Sequence, residues 1–164
     1  MASIQGAGRG LGGALARELA SGGANLVLTA RRKDRLDELA RQLESEFTIK
    51  TEVFPADLAQ PDAAETIFAF TEQCGLRIDL LVNNAGFGAY GELHTVEPAR
   101  LLDMVQVNCG AVMHLTRLSL PHMFKPHSGD AFILPSTPTF PACPSVPPAD
   151  PPQTFHPPFA HGRP

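Results

Sequence analysis

Near the amino terminus, Gly6-Ala7-Gly8-Arg9-Gly10-Leu11-Gly12 packs four glycines into seven residues. A glycine-rich turn between a strand and a helix lets backbone amides approach a pyrophosphate, whose charge a helix N-terminus favours. The spacing is G-x-x-x-G-x-G. It is not G-x-G-x-x-G, because Leu11 occupies the third glycine's place. Taken alone, the string also fits a flexible turn with chance glycines, so the context decides. Asn83-Asn84-Ala85-Gly86 and Asp57-Leu58 each follow a strand-like run. Asn108 lies in Val107-Asn108-Cys109-Gly110, inside a helical pattern. Asn and Gly in a helix interior cost stability relative to Ala, so this string points to a purpose beyond helix formation. Asp57 alone also fits an N-cap of the next helix. Asn108 alone also fits a buried polar residue satisfied by neighbouring backbone.

These groups need a scaffold, and the periodicity supplies one. Strands are predicted at Ala2–Gln5, Asn25–Ala30, Thr48–Phe54, Ile78–Val82 and Ala131–Leu134. Between them lie helices: one after the glycine loop, with Leu11, Ala14, Leu15 and Leu19 along one face, then Lys33–Phe47, Pro61–Cys74 and the long Pro98–His122. Ile67, Phe68 and Phe70 are core candidates on the third helix. Strands alternating with helices imply a parallel sheet covered on both faces. Right-handed crossovers and the loop after the first strand select the doubly wound, Rossmann-like α/β form.

In order and in register from Ile4 to about Phe140, these motifs resemble the short-chain dehydrogenase/reductase family. The resemblance implies a pyrophosphate loop at Gly6, Gly10 and Gly12, with Arg9 and Leu11 within it. It places Asp57 against the adenine with the Leu58 backbone beside it. Asn84, Ala85 and Gly86 would pack beside the cofactor ribose and support the central strands. Asn108 would be the structural member of a catalytic tetrad, holding a water in a proton relay. The activity implied is hydride transfer between NADP(H) and a small carbonyl or alcohol substrate. The family often dimerises through the long helix, so 98–122 is a candidate surface for a second copy or an intact relative.

Charge bears on the cofactor. In the NAD pattern an acidic residue near the end of the second strand binds the ribose hydroxyls. Here that strand ends in Ala30-Arg31-Arg32. No carboxylate is there to repel a 2′-phosphate, and guanidiniums pair well with one. Arg9 adds a positive charge from the glycine loop. NADP is therefore expected over NAD, with Arg9 and Arg31 or Arg32 on the phosphate. The alternative is that Arg31–Arg35 simply begin a solvated helix.

The pattern breaks at Pro135, and from that residue onward 11 of 30 residues are proline. Ser136 aligns with the family's catalytic serine, which positions the substrate carbonyl. The family then uses Tyr-x-x-x-Lys: a tyrosine as general acid and base, and a lysine that lowers its pKa and binds the nicotinamide ribose. In register from Ser136, Ala149 and Gln153 stand at those positions. The chain's one tyrosine is Tyr90, which fits substrate-loop packing better than catalysis. Proline at this density excludes helix interiors and sheet ladders. The expectation is a dinucleotide-binding domain over 1–134, incomplete relative to the family, and an irregular, Pro-rich tail over 135–164. Impaired catalysis is expected, with a catalytically dead nucleotide-binding or dimerisation module, or a non-functional truncated product, as the alternatives.

Composition narrows the remaining classes. The formal net charge is −4 with both signs interspersed, which gives no basic face for nucleic acid and no membrane-surface patch. No apolar run approaches the roughly 20 residues of a membrane span. Cys74, Cys109 and Cys143 are widely spaced and form no metal knuckle or disulfide framework. A soluble, reducing, cytoplasmic setting is the expectation.

Overall fold

In the computed structural model, residues 1–89, 93–124 and 130–133 are described. Five strands form one sheet: β1 (Ala2–Gln5), β2 (Leu26–Ala30), β3 (Thr51–Pro55), β4 (Leu80–Asn83) and β5 (Asp130–Ile133). Their order is β3-β2-β1-β4-β5 and every pairing is parallel. The chain runs outward from β1 to β3, then crosses back to β4. The reversal falls between β1 and β4, the point where such sheets open a ligand crevice beyond their carboxyl ends.

The two sheet faces are covered by different helices. On one, α1 (Gly10–Ser21) and α2 (Lys33–Glu46) pack Ala16, Ala20, Leu36, Ala40 and Leu43 against Ile4, Leu26, Leu28 and Val82. On the other, α3 (Ala63–Gln73) and α5 (Ala111–Phe124) bury Ala63, Ile67, Ala111 and Leu115 against Leu81 and Leu58. All of β1 is buried, and its side chains alternate: Ala2 and Ile4 join the first core, while Ser3 and Gln5 lie outside it. Each fully buried Leu or Ile side chain contributes about 1.5–3 kcal/mol of hydrophobic stabilisation.

Several boundaries and faces differ from the sequence reading. The strip of α1 that meets the sheet is Gly12, Ala16 and Ala20. Leu11 is 59% exposed, Ala14 is exposed, and Leu15 and Leu19 are only partly buried. Small residues at spacing four bring this helix close to the strands, and the larger leucines flank the contact. α3 begins two residues after Pro61, which belongs to a turn. On α3, Ile67 is core, whereas Phe68 and Phe70 are half-buried. Phe70 stacks on Phe54 with ring centroids 4.6 Å apart. The long helix is not one regular helix. It comprises α4 (Pro98–Val105), a π turn at Gln106–Gly110, and α5. The predicted fifth strand is shifted by one residue at its start, and Leu134 lies outside the described residues.

Candidate functional site

The glycine loop joins β1 to α1 at the carboxyl edge of the sheet. Its first amides, Gly6 N–H and Ala7 N–H, donate to the Thr29 carbonyl of β2 at 2.8 and 3.3 Å. Gly6 has φ +73°, and a Cβ there would lie 3.0 Å from the Ala85 Cα. Gly12 is under tighter constraint. A Cβ would collide with the Gly6 carbonyl oxygen and lie 2.6 Å from Asn84 Nδ2. Asn84 Nδ2 itself donates to the Gln5 carbonyl at 3.2 Å. Loop, helix start and the turn after β4 thus interlock at the switch point. The loop residue Arg9 is the N-cap of α1, which has no side-chain cap and no acidic residue in its first turn. The first-turn amides are therefore not engaged by a capping side chain.

The turns after β3 and β4 form the other walls. Asp57 is exposed, and its Oδ1 accepts from Ala59 N–H at 3.1 Å. It is not the N-cap of α3, a position held by Asp62. That local carboxylate–amide bond fixes a turn five residues upstream of the helix. Leu58 is buried in the second core. Asn84 and Ala85 are half-buried and Gly86 is exposed. Asn108 stands in the π turn, and both ends of its amide are occupied. Phe87 N–H donates to Oδ1 at 3.1 Å, and Nδ2 donates to the Phe87 carbonyl at 2.9 Å. Single π turns often mark functional sites; here one aims an amide at a loop backbone. Arg100, in the first turn of α4, lies 5.7 Å from the Phe87 ring centroid, in cation–π range.

Arg9, Arg31, Arg32 and Arg35 are all exposed. The Arg32 guanidinium has its pKa lowered, by partial loss of hydration and then by the like charges of Arg35, Arg9 and Arg31, with Asp34 alone opposing. That pattern brings the four cations into one electrostatic neighbourhood, although it leaves Arg32 charged at any physiological pH. Arg35 was not singled out from the sequence, where the run Arg31-Arg32-Lys33-Asp34-Arg35 also fits a solvated helix start. The signal available was the shortage of acids in that first turn.

The structure therefore brings Gly6, Arg9, Gly10, Leu11, Gly12, Asn84, Ala85 and Gly86 to one edge of the sheet, with Asp57 and Leu58 at the neighbouring turn. Ser136, Tyr90, Ala149, Gln153 and the 135–164 tail lie outside the described residues. Among the described residues no His, Cys, Asp and Glu cluster could hold a metal ion. No described helix is long and apolar enough to cross a membrane.

A parallel sheet of order 3-2-1-4-5 with a glycine loop at its switch point defines a dinucleotide-binding α/β protein. More narrowly, the chain belongs to the short chain dehydrogenase family, whose model matches residues 1–147, a stretch that includes Ser136. It is similar to the 7beta-hydroxysteroid dehydrogenase of Collinsella aerofaciens, 35% identical over 64% of this chain and 39% of that protein. It is also similar to very-long-chain 3-oxoacyl-CoA reductase-A of Danio rerio, 36% identical over 74% of this chain and 39% of that protein. The chain thus spans about two-fifths of the length of these relatives. Among solved structures it resembles a metagenomic short-chain oxidoreductase in complex with NADP. The TM-score is 0.76 at 36% identity, covering 80% of this chain and 60% of that one.

Proposed function

We propose that this chain supplies the cofactor-binding half of an NADP-dependent oxidoreductase acting on a small carbonyl or alcohol substrate. The observation that carries this reading is the cluster of exposed arginines beside the glycine loop, with no carboxylate at the end of β2. The scaffold fits the cofactor on independent grounds. Positive φ at Gly6 and close approach at Gly12 keep the loop low, and the start of α1 is uncapped. In this reading the loop amides from Gly6 to Gly12 hold the pyrophosphate, and Leu11 lines its exposed side. Arg9 and Arg31 or Arg32 hold the 2′-phosphate. The free edge of Asp57 and the Leu58 backbone meet the adenine. Asn84, Ala85 and Gly86 line the ribose. NADP(H) bound there supplies or accepts the hydride. Support comes from the NADP complex of the similar metagenomic oxidoreductase. Replacing Arg31 by Asp is expected to shift preference from NADPH towards NADH, measured as the two dissociation constants. An unchanged preference contradicts the assignment.

The catalytic residues fall into two groups. Asn108 acts as a positioning residue: its side-chain amide accepts from and donates to the Phe87 backbone, which holds the 84–89 loop against the π turn. Ser136 is the substrate-positioning residue. A proton donor is missing from the sequence at Ala149, and Gln153 carries no charge. The 164-residue chain is therefore expected to bind cofactor with little or no carbonyl reduction.

A second reading rests on α4 and α5. Leu102, Val105, Cys109 and Met113 recur at three- and four-residue spacing, and all are exposed. This apolar stripe supports assembly with a second copy of the chain or an intact relative through the 98–122 helix.

A further inference from the structure

We propose that a cavity at the amino-terminal end of the sheet, between α3 and α5, binds a small amphipathic ammonium ion. The site is independent of the NADP reading, since it lies at the opposite end of the sheet from the glycine loop.

The cavity holds about 480 Å³, a size that suits a small organic molecule. Phe68, Thr71 and Glu72 line it from the last two turns of α3, and Ser119 and His122 from the last two turns of α5. The turn 75–78, which leads to β4, closes a third side. Both helices run between parallel strands, so both carboxyl ends point the same way and bring the negative ends of their dipoles to the cavity. The last turn of α3 has no basic residue and carries Glu72 instead. A carboxylate there opposes the helix dipole unless a cation meets it. The neighbouring cations do so poorly. Arg77 Nε is 2.9 Å from Asp79 Oδ1, so Asp79 offsets its charge. His122 Nδ1 stands 3.7 Å from Glu72 Oε1, beyond hydrogen-bond distance. The Glu72 carboxylate therefore keeps lone pairs for another donor.

The buried hydroxyls share that bias. Thr71 is 4% exposed and donates its hydroxyl hydrogen to the Phe68 carbonyl at 2.7 Å, so its oxygen can otherwise only accept. Ser119 is 8% exposed, and its hydroxyl makes no hydrogen bond among the described residues. A group this buried ordinarily has a partner, and a ligand N–H supplies one. An ammonium brings three N–H donors and a positive charge, which suits one carboxylate and two hydroxyl oxygens. Phe68, Leu76 and Ile78 give apolar surface to a hydrocarbon body. An anionic ligand would meet Glu72 and two helix ends of like sign.

The probe is 2-phenylethylamine, with 2-phenylethanol and 3-phenylpropionate as its neutral and anionic counterparts. Each is titrated at pH 7 into the isotope-labelled full chain and followed by amide chemical shifts. The amine is expected to move residues 68–78 and 119–122 saturably, and the other two probes are not. E72Q, a change at the exposed rim, should weaken the amine about five- to tenfold at unchanged melting temperature. S119A should weaken it about two- to fivefold, and decides the matter if E72Q perturbs the fold. Saturating NADPH should leave the amine's affinity unchanged. The proposal is overturned if no saturable shift occurs, if the alcohol or the propionate binds as well, or if the shifts fall on 6–12. Wild-type affinity in either folded variant, or displacement of the amine by NADPH, overturns it equally.

Discussion

Asn108 shows what one residue does for the site. Its amide both accepts from and donates to the backbone of Phe87, 21 residues earlier in the chain. Truncation leaves a half-buried N–H and C=O without partners, and each such loss costs about 1–3 kcal/mol when desolvated. Asn108→Ala is therefore expected to lower the denaturation midpoint and to weaken NADPH binding through the 84–89 loop. Asn108→Ala with wild-type stability and affinity would remove the residue from the site. The sequence marked Asn108 because it is an expensive residue for a helix interior. It did not show the partner, since a pairing across 21 residues depends on how a helix and a loop dock.

Elements were more legible than contacts. Five strands and the helices between them follow from alternation and 3.6-residue periodicity, and the glycine loop fixed the winding. The faces were harder to read. On α1 the apolar count favoured Leu11 and Ala14, but Gly12, Ala16 and Ala20 meet the sheet because small residues allow a closer approach. The π turn at Gln106–Gly110 was invisible to a periodicity argument that assumes one helical pitch. The stripe running from Leu102 to Met113 crosses it and is exposed. If that stripe joins two copies, Met113→Asp should shift the chain towards monomer in light scattering while leaving the melting temperature of the monomer unchanged. A wild-type chain that is monomeric at high micromolar concentration would contradict the assembly reading.

At the scale of the whole molecule, cofactor binding and the substrate-facing groups fall, on the proposed reading, in different parts of the chain. The loops proposed to hold the cofactor, and the switch point they surround, are built from residues before Asn108. The serine and the positions that would hold a proton donor follow Leu134. Purified 164-residue protein is expected to show no NADPH-dependent reduction of simple ketones or aldehydes above background. Robust turnover would require a proton donor other than the missing tyrosine and would contradict the division.

The central claim is that the glycine loop and its arginines form an NADP-selective site. Calorimetric titration of the wild-type chain with NADPH and NADH tests it most directly. A single-site isotherm at least tenfold tighter for NADPH is the predicted result; charge-assisted bonds worth about 1.5–3 kcal/mol each make that a modest demand. Equal affinity for the two cofactors, or no binding of either, would contradict it.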